Sequence, residues 1–217
     1  MNRNIIVLDT ETANSLEEPI AYDIGFAVID TENGDILEEH SFAIAEIFLD
    51  KELMDSAYYK EKIPQYWKEI KKGTRKLVKF ETARRILYQT IKKYNVNVIA
   101  AHNARFDNRS TNLSRRYLTS SKYRFFLPYG KIEIWDTLKM AREVMKENED
   151  YTRFCLENNY MTKKNQKRFT AEILYRYLTG NNDFEEEHRG IDDVRIEKEI
   201  FMYCLGVKPE IDGRLWK

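Results

Sequence analysis

The chain has 217 residues, which fits one compact domain with a full core and is too short for two independent domains of ordinary size. Hydrophobic residues make up 42% of the sequence and aromatic residues 13%, which excludes a disordered chain, and no apolar run approaches the ~20 residues of a membrane span. The 36 basic and 36 acidic side chains balance, so the net charge by itself indicates no partner.

Strands are predicted for the first part of the chain. Residues 4–9 (NIIVLD) form a short apolar run that is typical of a buried strand. Residues 21–30 alternate between apolar and polar side chains, and residues 35–45 are again strand-like. Asn33 and Gly34 lie between these two segments, and Asn-Gly between alternating segments is the strongest short-range signal for a β-hairpin.

Helices and strands alternate in the rest of the chain. Helices are predicted at 78–94, at 105–118 and over most of 150–205, and strands at 96–101 and 131–135. A further helix is predicted from Trp135-Asp136-Thr137 to about 146, with Asp136 or Thr137 as its cap. This order predicts an α/β fold with a mixed five-stranded sheet flanked by helices. We expect a single domain over 1–217, with a basic, aromatic-rich helical segment at about 56–80.

The cysteines and the first residues bear on where the protein acts. Cys155 and Cys204 lack the spacing of a metal site, so we expect buried or partly buried free thiols. The first residues, MNRNIIVLD, reach a charge after only four apolar residues, too few for a signal peptide. We expect a cytoplasmic protein that does not enter a membrane.

Charge is distributed unevenly along the chain. Residues 1–59 contain 2 basic and 14 acidic side chains, whereas residues 60–94 contain 12 basic and 3 acidic and residues 103–131 contain 7 basic and 1 acidic. This asymmetry is typical of a protein in which one face collects metal ions and another meets phosphates. Ordinary solvated helix faces explain it equally well.

The tripeptide Asp-Thr-Glu occurs twice, at residues 9–11 and 30–32. Alternate side chains on a strand share a face, so Asp9 and Glu11 are predicted to point the same way at the end of a buried strand. Buried like charges are costly unless a cation lies between them, and a divalent metal ion is the obvious candidate. Asp30 and Glu32 run into the hairpin turn, where we expect both carboxylates to be solvated.

Two later segments offer further oxygen ligands. Asp107 lies just past the strand at 96–101, near the first turn of a helix. His188 lies on a predicted loop five residues before Asp193, in the first turn of the last helix, where the helix dipole tolerates an anion. Asp192 competes with Asp193 for this role.

Three motifs together resemble a known family. Asp-x-Glu on the first strand, His-Asn-x-x-Phe-Asp at 102–107 and His-x-x-x-x-Asp at 188–193 are similar, in this order, to the exonuclease motifs of the DEDDh family, which includes the proofreading subunit of bacterial replicative DNA polymerase and RNase T. The likeness extends from the first strand to about residue 205 and includes YDIGFAVID and WDTLKMAR. Each motif alone is weak, whereas all three in sequence are strong.

The resemblance implies a ribonuclease H-like fold and a two-metal 3′→5′ exonuclease that releases 5′-mononucleotides. Two Mg²⁺ or Mn²⁺ ions would be held by four carboxylates, and His188, whose unperturbed pKa would lie near ~6.5, would take a proton from the attacking water. The implied metal ligands are Asp9, Glu11, Asp107 and Asp193, with Asp9 shared between the ions, and the implied substrate-binding residues are Thr10, Thr12 and Asn103. The family pattern places the last ligand five residues after the histidine, which selects Asp193 over Asp192.

Some positions depart from the family pattern or have structural roles. Thr12-Ala13-Asn14 replaces the usual Thr-Thr-Gly, and the residues after Asp107 are more polar than usual, which bears on substrate preference but not on the metal ligands. His102 is expected to be a structural hydrogen-bonding group and Phe106 a core residue.

The expected partner is a single-stranded or frayed 3′ end, with DNA favoured and a role in DNA repair or replication. The basic stretches 60–94 and 105–124 are expected to help hold the phosphate backbone, and four aromatic residues could stack on bases. These are Tyr58, Tyr59, Tyr66 and Trp67. The alternatives are an exoribonuclease that trims RNA and a non-catalytic polymerase accessory module; polymerase association and a homodimer are both left open.

Overall fold

A computed structural model describes residues 2–216, and its centre is a mixed six-stranded sheet. The strand order is β4-β3-β2-β1-β5-β6. Strand β1 pairs antiparallel with β2 and parallel with β5, β2 pairs antiparallel with β3, and the outer pairs β3–β4 and β5–β6 are parallel. The strands are β1 (Asn4–Ala13), β2 (Ile20–Asp30), β3 (Ile36–Ile44), β4 (Lys76–Val78), β5 (Val98–Ala101) and β6 (Glu133–Asp136).

The predicted α/β class is confirmed, but the sheet has one strand more than the five predicted. The additional strand, Lys76–Val78, is only three residues long and lies at the edge of the sheet beside β3. Its sequence follows a lysine-rich loop and is too short to show an alternating pattern, so its pairing depends on the neighbouring strand rather than on local propensity. The hairpin between β2 and β3 has Gly34 at φ +77°, as the Asn-Gly signal predicts.

Helices cover both faces of the sheet. They are α1 (Ala45–Phe48), α2 (Lys51–Asp55), α3 (Ile63–Lys72), α4 (Phe80–Lys93), α5 (Arg105–Leu118), α6 (Thr137–Met145), α7 (Glu149–Glu157), α8 (Ala171–Thr179) and α9 (Gly190–Val207), with a 3₁₀ turn at Lys60–Lys62. Asp136 caps α6, because its side chain accepts a hydrogen bond from the Leu138 amide. No helix in the described part of the chain is both long and apolar enough to cross a bilayer.

Strand β1 is buried on both faces and divides the core into two parts. Ile6 and Leu8 pack with residues of β2, β3 and α4 on one side, whereas Ile5 and Val7 pack with α6, α8 and α9 on the other. Asp9 and Glu11 continue the second series, so the strand directs them toward α9. Cys155 and Cys204 are buried free thiols in this second part of the core, as expected.

A buried ion pair joins β2 to the loop that follows α3. Asp23 and Arg75 have fully buried side chains in contact with each other, and Tyr66 of α3 donates a hydrogen bond to Asp23 Oδ2 at 2.7 Å. Asp23 Oδ2 also accepts a hydrogen bond from the Gly190 amide at 3.0 Å. This carboxylate therefore fixes the first residue of α9 to the sheet.

Removal of the arginine should destabilise the whole domain. Arg75→Met leaves the Asp23 carboxylate buried without its cation, and such changes cost about 3–5 kcal/mol. The free energy of unfolding in urea measures the effect. Arg85→Met on the exposed side of α4 is the matched control and should change stability by no more than about 0.5 kcal/mol. Equal stabilities of the two variants would contradict this role for Arg75.

Candidate metal centre

The end of β1 supplies two carboxylates to a cleft of about 550 Å³. Asp9 pairs with Gly25 of β2 and Glu11 pairs with Asp23, and the register shifts directly after Glu11. Both side chains line the cleft, and the Oδ2 atom of Asp9 is buried without a hydrogen-bond partner. The predicted pairing of two carboxylates on one face of a buried strand is therefore present in the structure.

Asp107 reaches the same cleft from the first turn of α5. Because β5 is parallel to β1, the turn that follows β5 lies at the end of the sheet where Asp9 and Glu11 lie. Asp107 Oδ1 accepts hydrogen bonds from the amide and the hydroxyl of Thr10, at 3.1 and 2.8 Å. The Thr10 hydroxyl also bonds the Ser110 hydroxyl at 2.9 Å, so Thr10 connects β1 to α5.

Asp193 reaches the cleft because α9 begins unusually close to the sheet. A Cβ atom on Gly25 would lie 2.3 Å from the carbonyl carbon of Gly190, and one on Gly190 would lie 2.9 Å from the Gly25 nitrogen and 3.2 Å from the Asp9 oxygen. Neither position has room for a side chain. The two glycines thus place the first turn of α9, with Asp193, beside the end of β1.

The structure separates the two neighbouring aspartates. Asp192 forms ion pairs with Arg189 at 2.8 Å and Arg195 at 3.2 Å. Asp193 lines the cleft, is 4% exposed, and has an Oδ1 atom that is buried without a partner. Asp193 is therefore the residue whose carboxylate is available to a ligand.

Oxygen and nitrogen donors converge in the cleft in a way that suits a divalent cation. Glu11, His188 and Asp193 each offer a ligand atom within 4.8 Å of the other two. The unpartnered oxygens of Asp9 and Asp193 lack the hydrogen bonds that buried polar atoms normally have. Hard carboxylate oxygens are the ligands that Mg²⁺ and Mn²⁺ prefer, so this donor set fits the implied ions.

Burial and repulsion between the carboxylates of the cleft raise their pKa values. Burial raises the pKa of Asp9 well above its usual range, and the charges of Asp107, Glu197, Asp193 and Glu11 raise it further. Burial also raises the pKa of Asp107 to about 7 and, with Glu186 and Asp192, that of Asp193 to about 8. A bound cation would reverse these shifts, since it favours the ionised carboxylates.

His188 lies at the mouth of the cleft on a strained loop. Its φ of +51° is rare for a residue with a side chain, and its ring stacks on Tyr59 with centroids 4.2 Å apart and planes 8° from parallel. Nδ1 lies 3.8 Å from a carboxylate oxygen of Glu186. Burial lowers the pKa of His188, so the ring is a neutral proton acceptor at pH 7.

In the second Asp-Thr-Glu segment, Asp30 is buried and paired rather than solvated. Asp30 is 5% exposed, and the Arg3 guanidinium donates to both of its oxygens at 3.0 Å. This side-chain bond lowers the pKa of Asp30. The expectation of a solvated Asp30 was wrong, whereas the Glu32 side chain is 65% exposed, as expected. Asp30 has a cationic partner, and no ion pair joins Asp9 to a cationic side chain in the described structure.

The residues predicted to contact substrate lie in different places. Thr10 and Asn103 line the cleft, Asn103 with φ +63°, whereas Thr12 is not among the residues around it. His102 has the expected structural role, because its ring bonds the Thr137 hydroxyl at 2.9 Å and the Phe169 carbonyl at 2.7 Å. Phe106 was expected in the core and instead lines the cleft, half-buried.

Two further carboxylates in the cleft were missed by the sequence reasoning. Glu186 lies on the loop before His188, and burial raises its pKa to about 7. Glu197 lies on α9 one turn after Asp193 and is 2% exposed. The four-residue interval between Asp193 and Glu197 was the available signal, because residues i and i+4 share a helix face.

A minority of the side chains in the basic stretches form ion pairs in the described structure. Lys93 bonds Glu38 at 2.6 Å, Arg75 is buried against Asp23, and Arg115 contacts Glu81. Of the four aromatic residues expected to stack on bases, Tyr66 is fully buried in the core, Tyr59 covers His188, and Tyr58 and Trp67 remain exposed.

Comparison with solved structures identifies the fold. The nuclease domain of 3′hExo, a DEDDh family member, bound to rAMP superposes with a TM-score of 0.63 at 10% identity, over 97% of this chain and 95% of that chain. Exonuclease X in complex with 5′ overhanging duplex DNA superposes with a TM-score of 0.51 at 14% identity, over 97% of this chain and 96% of that chain. E. coli Exonuclease I in complex with a dA16 oligonucleotide superposes with a TM-score of 0.57 at 17% identity, over 96% of this chain and 42% of that chain.

These similarities are structural. No protein-family model matches the sequence, and a search of curated proteins finds no significant match. The chain therefore has the ribonuclease H-like fold of these exonucleases at an identity of 10–17%.

The metal-free protein should lose stability as the pH rises. The buried carboxylates keep their protons to about pH 7 and 8 in the folded state, whereas those of the unfolded chain ionise near pH ~4. The contribution of these carboxylates to stability is therefore fully present below about pH 4 and is lost as the pH rises through 7 and 8.

Melting temperatures in EDTA and in Mg²⁺ measure this effect. The decrease between about pH 6 and about pH 9 should be steep in EDTA and much smaller in saturating Mg²⁺. Asp193→Asn should flatten the EDTA curve. The same slope with and without Mg²⁺ would show that these groups do not bind the ion.

Proposed function

We propose that this chain is a metal-dependent 3′→5′ exonuclease that hydrolyses phosphodiester bonds at nucleic-acid 3′ ends and releases 5′-mononucleotides. One observation carries the proposal: four carboxylates from three distant segments meet in one cleft beside a histidine, with two buried oxygens that lack partners. They are Asp9, Glu11, Asp107 and Asp193, beside His188. The fold shared with known exonucleases supports the same reading.

The four carboxylates would hold two divalent cations, Mg²⁺ or Mn²⁺, as the family resemblance implies. Bound in such a site, a pair of cations stabilises both the attacking and the leaving oxygen of an in-line displacement at phosphorus. The chain's own contribution is to orient the ligands: Thr10 fixes one oxygen of Asp107, and the Gly25–Gly190 contact sets the position of Asp193.

His188 is proposed as the general base. Its lowered pKa keeps the imidazole neutral at pH 7, and its loop places a ring nitrogen within 4.8 Å of carboxylate oxygens of Glu11 and Asp193. Stacking on Tyr59 restricts the ring to one orientation. A neutral imidazole positioned in this way takes a proton from water as the water attacks, which is worth about 10²–10⁴-fold in rate.

The proposed substrate is a single-stranded or frayed 3′ end, with DNA preferred, which would place the protein in DNA repair or replication in the cytoplasm. RNA is the alternative. One solved neighbour is described as a 3′-exonuclease that recognises the histone mRNA stem-loop, and another holds a dA16 oligonucleotide. DNA and RNA 3′ ends assayed in parallel separate the two substrates.

The non-catalytic alternative predicts that ligands are missing or dispersed. Instead, the four implied metal ligands and the implied general base line one cleft. A module that served only in assembly would have no reason to keep buried carboxylates opposed to one another at a cost in stability. This observation favours the enzyme over a polymerase accessory.

Incubation with 5′-labelled oligonucleotides tests the proposal. With Mg²⁺ the products should form a ladder that shortens stepwise from the 3′ end, and EDTA should abolish it. His188→Asn should lower the rate by about 10²–10⁴-fold. His40→Asn is the matched control, because His40 lies on β3 outside the cleft. Products that start at internal sites, or equal loss in both variants, would contradict the assignment.

A further inference from the structure

Glu197 is a buried carboxylate that the four-ligand pattern does not explain. It lies on α9 one helical turn after Asp193, lines the cleft, and is 2% exposed. Its Oε2 atom is buried and has no hydrogen-bond partner. The side chain is therefore directed into the same space as Asp193. The His102 backbone amide bonds the carboxylate, whereas Oε2 has no partner in the described structure.

The surroundings of Glu197 contain like charges rather than a compensating cation. Asp107 and Asp193 both act to raise its pKa, and Glu197 in turn raises that of Asp9. No ion pair joins it to a cationic side chain among residues 2–216. Lys167 also lines the cleft, but its ammonium group bonds the Met145 carbonyl at 3.1 Å and the Thr152 hydroxyl at 2.8 Å.

A purely structural role does not account for this arrangement. Burial of a carboxylate without a cation costs several kcal/mol, and a leucine at this position of the helix would avoid that cost. One backbone hydrogen bond from His102 does not neutralise the charge, so a positive group that enters the cleft would stabilise the ionised glutamate. The donor set of the cleft is suited to divalent cations, which would supply that charge.

We propose that Glu197 is a fifth metal-binding carboxylate of the centre. The inference rests on the cation site of the proposed function and adds one residue to the four that the family resemblance implies. Glu197 raises the affinity of the centre for divalent cations, either as a direct ligand or through a metal-bound water.

Mn²⁺ binding to Glu197→Gln tests this role without any assay of activity. Calorimetry and the electron paramagnetic resonance signal of free Mn²⁺ should show a loss of affinity of about 10–100-fold. The metal-free variant should melt at the same or a higher temperature than the parent, because a buried like charge has been removed. Its stabilisation by Mn²⁺ should be smaller.

Two further variants make the result specific. Glu199→Gln is the matched control, since Glu199 lies on the exposed side of the same helix beside Lys198, and it should bind Mn²⁺ like the parent. Glu197→Asp keeps the charge on a shorter side chain and should retain part of the affinity. Unchanged Mn²⁺ affinity and stoichiometry in Glu197→Gln would overturn the proposal. A parent protein that binds Mn²⁺ but degrades no oligonucleotide would refute the nuclease assignment alone.

A second inference concerns the hairpin between α7 and α8, residues 161–168. Met161 and Lys167 form a β-bridge, and the Thr162 amide donates to the Gln166 carbonyl at 2.8 Å. Asn165 completes the turn with φ +55°. The bonds of Lys167 to the Met145 carbonyl and to Thr152 of α7 attach the hairpin to the helical layer.

The hairpin places cations at the edge of an acidic cleft. Lys163 and Lys164 are exposed at its tip and Arg168 at its base, and no ion pair engages them within the described part of the chain. Thr162, Gln166 and Arg168 line the cleft itself. Lys71 and Lys72 of α3 also form no ion pair in the described structure, but they do not line the cleft.

The structure assigns this hairpin to the sugar-phosphate backbone of the strand whose 3′ end enters the cleft. The assignment rests on the proposed function and names the surface that holds its substrate. A polyanionic strand requires cations along its path, and exposed lysines and an arginine continuous with the cleft supply them.

Binding of a fluorescent single-stranded DNA to the inactive His188→Asn protein in Mg²⁺ tests the assignment without cleavage. Lys163→Gln with Lys164→Gln should weaken binding and reduce the slope of log affinity against log salt by about 1.4, the value for two contacts to a single strand. The comparison variant, Lys71→Gln with Lys72→Gln on α3, removes the same charge away from the cleft and should bind normally.

An unchanged salt slope in the hairpin variant would overturn the assignment, and a loss confined to the α3 variant would place the strand on that helix instead. Failure of the exonuclease assay with intact binding would leave the hairpin assignment standing.

Discussion

The close approach of two backbones, at Gly25 of β2 and Gly190 of α9, is the constraint on which the site depends. Neither residue can carry a Cβ atom, and the Gly190 amide is held by Asp23, whose carboxylate is itself fixed by Arg75 and Tyr66. These contacts lie in the folded core and persist without a ligand. They bring the first turn of α9 to the end of β1 against the repulsion of the carboxylates, so packing of the core offsets an electrostatic cost in the cleft.

Acidic and basic side chains are concentrated in different segments of the chain, and the fold brings some of them together. The acidic first segment and the basic segment after it meet in two ion pairs: Arg75 pairs with Asp23 in the core, and Lys93 pairs with Glu38 at the surface. A run of like charge in the sequence therefore includes residues with different roles, some paired within the fold and others exposed. Arg168 of the short hairpin and Arg142 of α6 line the cleft and form no ion pair in the described part of the chain, and composition alone does not distinguish them.

The sequence predicts those cleft residues that lie at the end of a strand or the start of a helix. Asp9 and Glu11 were identifiable because they end a strand that is apolar on both faces, and Asp107 and Asp193 because each follows a recognisable element boundary within a motif. The pairing of Asp30 with Arg3 could not be predicted, since it joins the start of β1 to the end of β2 across 27 residues. Strand β4 was missed because three residues at a sheet edge have no pattern of their own.

The surroundings of Glu197 and Phe106 also could not be predicted from the sequence. Their positions on α9 and α5 were predicted as helical, but whether a helix face meets the core or an open cleft is decided by the neighbouring elements rather than by periodicity. Gly25 lies within the segment that supported the family resemblance, yet its physical reason, contact with Gly190, appears only when the two segments are brought together.

Anomalous diffraction from a crystal soaked in Mn²⁺ tests the central claim most directly. We expect two ions in the cleft, ligated by the carboxylates of Asp9, Glu11, Asp107 and Asp193. A map with no anomalous peak among these side chains at saturating Mn²⁺ would contradict it.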